Sequence, residues 1–186
     1  MKKLRLIVAL AAIGFAANAQ EVKFPPLDGS PADLAYFPVN AAKVKAGDNS
    51  TPQIRVIYSR PSVKGRKVFG ELVPFGKVWR AGANESTEIR FYQPVTIGGK
   101  AVPAGSYSLF VLPEQDKWVF ILNKQTDRWG EYTYDQAKDV VRVTVPVEQL
   151  TAPVEALAIT FTPDAKGAKL HLAWDKLTAS LPVTIR

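Results

Sequence analysis

Seven cationic side chains, Arg60, Lys64, Arg66, Lys67, Lys77, Arg80 and Arg90, fall in a short stretch that also holds Glu71, Asn84, Glu85 and Glu88 and the rings of Tyr58, Phe69, Phe75 and Trp79. Guanidinium groups beside carboxylates and rings support two kinds of chemistry. They can grip a carboxylate, phosphate or sugar, with the planar fork as anchor and an aromatic face as platform. They can equally satisfy the carboxylates and carbonyls of an irregular connection that lacks ladder hydrogen bonds of its own. On the first reading the ligand-binding residues are Arg60, Arg66, Trp79, Arg80, Asn84 and Glu85, with Trp79 as the stacking face and Arg60 or Arg80 as the anchor.

Other chemistries have less to work with. A histidine-relayed nucleophile needs a base titrating near neutrality, and the one histidine, His171, sits between Leu170 and Leu172, facing away from the Leu170/Leu172/Trp174 row, as a surface strand residue would. With no cysteine, the usual zinc ligand sets and disulfides are both excluded. Oxygen ligands for calcium exist at Asp127, Glu131, Asp135 and Asp139, but their spacing follows no calcium loop and reads as a solvated acidic loop. Gly65, Gly70, Gly76 and Gly82 lack the strand and helix that frame a phosphate loop, and read as turn residues. Glu85 and Glu88 are an acid–base option, weakened because two residues three apart on a strand point to opposite faces. No catalytic set, metal or cofactor is therefore expected.

The elements that must position these groups have a period of two. Ile54, Val56 and Tyr58 form one apolar row; Ile89 and Phe91 alternate with Glu88 and Arg90; Gly98-Gly99 divides Val95 to Val102 as a tight hairpin. Ser106 to Leu112 and the continuously apolar Trp118 to Leu122 follow, separated by a Pro113-Glu114-Gln115-Asp116 turn. Val141, Val143, Val145 and Val147, then Leu157, Ile159 and Phe161, then Leu170, Leu172 and Trp174, then Leu181, Val183 and Ile185 complete the pattern. Only 134–138 and 147–152 could hold a short helical turn. The class is all-β: an antiparallel β-sandwich, jelly-roll-like, or a flattened barrel of about eight to ten strands.

The first nineteen residues carry Lys2, Lys3 and Arg5, an apolar run from Leu6 to Ala17 and the small-x-small ending Ala17-Asn18-Ala19, which together read as a signal peptide cleaved between Ala19 and Gln20. The run is short of the roughly 20 residues that span a bilayer, so no transmembrane anchor is expected after cleavage. Of 24 basic residues three lie in that peptide, leaving 21 against 17 acidic ones and a net charge of +4 rather than +7. That modest excess, without a dense basic run, argues against a nucleic-acid partner. Residues 20–52, with Pro25, Pro26, Pro31, Pro38 and Pro52 and isolated apolar anchors, read as an extended, partly docked segment, and 53–186 as a single β domain.

The motifs RPSVKGRKVFGELVPFGKVWRAGANESTEIRF, VTIGGKAVPAGSYSLFVLP, WGEYTY, VRVTVP and PVEALAITF resemble the DUF2911 family, exported bacterial proteins of unknown function found mainly in Bacteroidota. RxGANExT at Arg80 to Thr87 and VPAGSYSLF at Val102 to Phe110 are its most specific parts. The resemblance spans about Gln53 to Ile185 and implies an exported β-rich domain. The expected function is a periplasmic or secreted binding protein for a small anionic or saccharide ligand or an envelope protein. A carboxylate hydrolase and a structural envelope component are the alternatives.

Overall fold

The computed structural model describes residues 21–43 and 50–185, so the signal peptide read at 1–19 lies outside the described residues. Nine strands form: β1 Ala32–Phe37, β2 Ile54–Ser59, β3 Glu88–Phe91, β4 Val95–Ile97, β5 Lys100–Val102, β6 Gly105–Pro113, β7 Lys117–Asn123, β8 Asp139–Asp164 and β9 Gly167–Ile185. All neighbours are antiparallel, in the order β1-β2-β3-β6-β7-β8-β9-β4-β5, and the sheet does not close into a barrel. The fold is all-β, as the two-residue period predicts.

The 26-residue β8 makes the layering. Its first part pairs with β7, Asp139 to Pro146, and from Val147 onward it pairs with β9, with register shifts between Gln149 and Ala158. A ladder interrupted by bulges bends and twists more strongly, so the sheet can fold over along this strand. The folding over brings β1 and β2 onto β8 from the far end of the strand order. Tyr58 Oη takes the Ile159 amide at 3.0 Å, Phe37 lies against Phe161 with ring centroids 6.2 Å apart, and Ser62 bridges to Ala156. Ile54, Val56 and Tyr58 on one layer and Leu157, Ile159, Phe161, Leu170, Leu172 and Trp174 on the other then share one sandwich-like core.

One local reading differs from the structure. Residues 147–152 are extended within β8, because pairing Val147, Glu148 and Gln149 with Ala179, Thr178 and Leu177 outweighs a weak helical preference. The Pro-rich segment supplies a strand: Ala32 to Phe37 pairs along β2 from Ser59 to Ile54. A short 3₁₀ turn does form at Gln136–Lys138, capped by the Asp135 side chain on the Ala137 amide.

The β8–β9 hairpin depends on one glycine. Gly167 has φ +149°, and a Cβ there would meet the Val183 carbonyl oxygen and, at 2.7 Å, the Ile185 nitrogen, because the end of β9 curls back on its start. Both neighbours are backbone and cannot rotate away. Gly167→Ala should therefore cost about 2–4 kcal/mol in urea unfolding, combining a strained φ with displaced chain; a loss under ~0.5 kcal/mol would contradict this packing.

Candidate functional site

Two of the three rings among the charges of 60–90, Phe69 and Trp79, have gone inward, while Phe75 stays exposed. Trp79 is 7% exposed, stacks on Trp174 at 5.9 Å with the planes 18° apart, and meets Phe69 edge-on at 6.0 Å; Phe69 in turn packs on Trp118 at 4.7 Å. Its indole nitrogen donates to the Gly82 carbonyl at 3.1 Å, so its polar handle is also satisfied. Trp79 is thus a core residue here, and its face is not open as a platform.

The backbone explains why periodicity stops. Trp79 exchanges two hydrogen bonds with Val111 of β6, at 2.7 and 2.9 Å, while Thr87 accepts from Leu109 two residues back along the same strand. Residues 80–86 therefore loop out of the ladder between two points that hold β6. The Thr87 amide closes the loop on the Arg80 carbonyl at 3.2 Å, and Ala81 and Asn84 turn it with φ of 55° and 59°. This loop is the RxGANExT motif, most of whose polar residues hold it in shape. Thr87 Oγ1 donates to the Ala81 carbonyl, and Asn84 Nδ2 donates to Asp28 at 3.0 Å. The Ser30 amide, then Asn84, hold the Asp28 carboxyl below its ordinary value.

Arg80 ties this loop to a second one, 124–138, that connects β7 to β8. Its Nε and Nη2 reach the two Glu131 oxygens at 2.7 and 3.3 Å, its Nη1 donates to the Asn84 carbonyl at 2.9 Å, and Tyr132 lies 5.2 Å from the guanidinium carbon. Gly130 permits the approach: a Cβ there, at φ +64°, would stand 2.7 Å from the Arg80 guanidinium carbon. Ser86 adds an amide bond to the Arg128 carbonyl at 2.9 Å and a hydroxyl bond to Gly130, and Glu85 bridges Trp129. The far end of the second loop is anchored by Tyr134, which donates to Asp139 at 2.6 Å while Arg142 reaches both. Burial, reinforced by Asp139, pushes the Tyr134 phenol up to about 12, so it stays protonated and donating near neutrality.

Between these loops and the outer face of the sheet lies a cavity of about 330 Å³, lined by Ala32, Ile57, Tyr58, Ser59, Glu85, Ser86, Glu88, Ser108, Thr126, Asp127 and Arg128. Ile57 opposes Glu88 across β2 and β3, and Glu88 opposes Ser108 across β3 and β6, so one row of outward residues makes its floor. Glu85 stands on the looped-out segment rather than on a strand, so the parity that would separate it from Glu88 does not apply. Both carboxylates line the same space. Glu88 also contacts Arg55 at 3.3 Å, whereas Glu85 and Asp127 have no cationic partner among the described residues. With the Gln125 amide oriented to donate to Thr133, its oxygen accepts from Arg128 at 3.0 and 3.1 Å, which ties that guanidinium to its own loop.

The six residues read as ligand-binding do not share one pocket. Arg80 and Asn84 brace the loop, Glu85 lines the cavity, and Trp79 lies in the core beneath. Arg66 closes its own turn on the Val63 and Ser62 carbonyls at 3.0 and 2.6 Å. Arg60 pairs with Asp33 at 2.8 Å and donates to the Leu157 carbonyl at 2.9 Å, beside a second cavity of about 310 Å³ between β1 and β8. Sequence reasoning missed Arg128 and Trp129 and weighed Asp127 for calcium alone; a tryptophan within a charged, aperiodic loop was the available signal. Among the described residues no three acidic or histidine side chains gather as a metal site. His171 bonds Thr162 and Ser180, both at 2.8 Å, and burial and then Lys169 hold its pKa below the ordinary value.

The sequence profile of a family described as "Protein of unknown function (DUF2911)" matches residues 40–183, most of the chain. The chain belongs to the DUF2911 family. Neither the curated proteins nor the solved structures give a match. The two motifs that carried the resemblance are, in structural terms, the looped-out segment that walls the cavity and the β5–β6 stretch that supports its floor.

The division between bracing and cavity residues has a measurable consequence. Arg80→Ala strands the Glu131 carboxylate in a site where it is 27% exposed, and should cost about 2–4 kcal/mol by chemical denaturation. Glu85→Gln, at an exposed position with no cationic partner, should change stability by less than ~0.5 kcal/mol. Equal effects would mean that the cavity wall and the brace are one structural unit.

Proposed function

We propose that this DUF2911 protein is an exported binding protein whose ligand sits in the cavity over β2, β3 and β6. Export rests on the signal-peptide pattern of the first nineteen residues. Binding rests on one observation above others: two carboxylates, Glu85 and Asp127, line an open cavity of about 330 Å³ without a cationic partner among the described residues, whereas Glu131 on the same pair of loops is held by Arg80. Ionised carboxylates only accept hydrogen bonds, so the preferred ligand brings donors: hydroxyl, amide or ammonium groups. The paired state of Arg60 and Arg80 weighs against an anion as the main ligand. The apolar floor of Ala32 and Ile57 suits a molecule with one hydrophobic face.

A second reading, a carboxylate-dependent hydrolase, draws on the placement of Glu85 and Glu88 on one cavity. In that reading one carboxyl group protonates a leaving oxygen while the other carboxylate activates water or attacks.

The experiment is ligand-induced stabilisation across a panel of small hydroxylated and amine compounds. A ligand present at about 100 times its Kd should add about 2.7 kcal/mol, or roughly 5–10 °C in Tm for a chain of this size. Ala32→Trp, which fills the cavity from an exposed edge strand, should abolish the shift while leaving the unliganded Tm within a few degrees. A shift that survives Ala32→Trp would refute the location. Turnover of a glycoside or ester that vanishes in Glu85→Gln would replace binding by the hydrolytic reading.

A further inference from the structure

The loop that supplies Asp127 and Arg128 to the cavity wall also carries exposed rings that the carboxylates do not explain. Trp129 is 60% exposed and Tyr132 is 74% exposed, although both lie on a loop held by hydrogen bonds and an ion pair to its neighbours. A large ring left in water on a braced loop forgoes the stabilisation that burial would give, and loops positioned by a rigid scaffold are where binding residues concentrate. Trp129 is also fixed relative to the cavity. Its neighbour Arg128 lines it, its backbone bridges to Glu85, which lines it too, and the Ser86 amide holds the Arg128 carbonyl at 2.9 Å.

Resting on the cavity reading above, we infer that the ligand is a saccharide, with one sugar ring packed on Trp129 and the next in the cavity. Three properties select this class. A pyranose presents an apolar C–H face that suits an indole and an aliphatic floor such as Ile57, and its edges present hydroxyls that donate to Glu85 and Asp127 and accept from Arg128. A simple ammonium ligand would use the carboxylates but leave Ile57 without a counterpart and stand beside the Arg128 cation. The cavity, at about 330 Å³, is at the lower end of ordinary ligand pockets, so a chain longer than one or two sugar units must continue out of it, along the loop that carries Trp129. The aromatic platform that the sequence placed at Trp79 is thereby supplied by a different tryptophan.

The test is calorimetric titration of the protein with cellotetraose, chitotetraose and maltotetraose as saccharide probes, and with choline and lysine as cationic ones. At least one tetrasaccharide should bind. Trp129→Ala should weaken it tenfold or more, Trp129→Tyr should restore most of the affinity because the flat face returns, and Ala32→Trp should abolish it. Choline or lysine binding that Ala32→Trp removes, with no saccharide bound, would overturn the saccharide assignment and leave the cavity reading standing. Saccharide binding indifferent to Trp129→Ala but lost in Ala32→Trp would overturn the platform alone, and with it this inference. If no probe binds, or a saccharide binds equally well to Ala32→Trp, both the inference and the cavity reading fall.

Discussion

The pairing of Arg80 with Glu131 is the interaction on which the shape of the outer face depends. It joins two segments that have almost no regular structure, residues 80–86 and 124–138, at a side-chain exposure of 15% for the arginine and 27% for the glutamate. At that depth desolvation takes back much of the Coulomb attraction, and a well-packed apolar pair could be as stable. An apolar pair could not do the same positioning. The guanidinium fork takes both Glu131 oxygens and still has a donor for the Asn84 carbonyl, so one side chain sets the height of one loop above the other and the turn within the first. Gly130 completes the fit by leaving room for the fork.

The strands supply the rigid side of that arrangement. β8 passes from one layer to the other, and the aromatic group of Phe69, Trp79, Trp118 and Trp174 fills the space where the layers meet. Removing any one of those rings should act on stability rather than recognition, since large-to-small changes at such sites cost about 3–5 kcal/mol. The division of labour is therefore by depth. Phe69 and Trp79 from the irregular crossing go into the core, Arg80 braces the crossing at the surface, and Glu85 and Asp127, which have no cationic partner among the described residues, face the cavity.

Much of the fold was legible in the sequence because alternation is a direct physical signal: a strand with one face in the core repeats every two residues, and Ile54/Val56/Tyr58 or Leu170/Leu172/Trp174 cannot be buried together in any other regular way. β1 was not legible. It lies in a Pro-rich segment, and an edge strand of Ala, Asp, Leu, Ala, Tyr and Phe has little contrast between its faces. The candidate site was legible only in part. Arginine density marked the right region, but composition does not reveal which cations are already neutralised, and Arg60 and Arg80 take carboxylates from far along the chain, Asp33 and Glu131. Parity separated Glu85 from Glu88 on the premise of a continuous strand, and the looped-out 80–86 segment removes that premise.

Hydrogen exchange on Glu131→Gln tests the central role of the brace most directly. Glutamine keeps the shape and removes the charge, so the strands should hold while the loops loosen. The account predicts that the Ser86 amide, which bonds the Arg128 carbonyl across the two loops, exchanges at least about tenfold faster than in the parent, while the amides of Phe110 and Ile121 in the central β6–β7 ladder change little. If Ser86 keeps its protection, or if it and the central ladder lose protection by the same factor, the Arg80–Glu131 pair is not what holds the cavity wall in place.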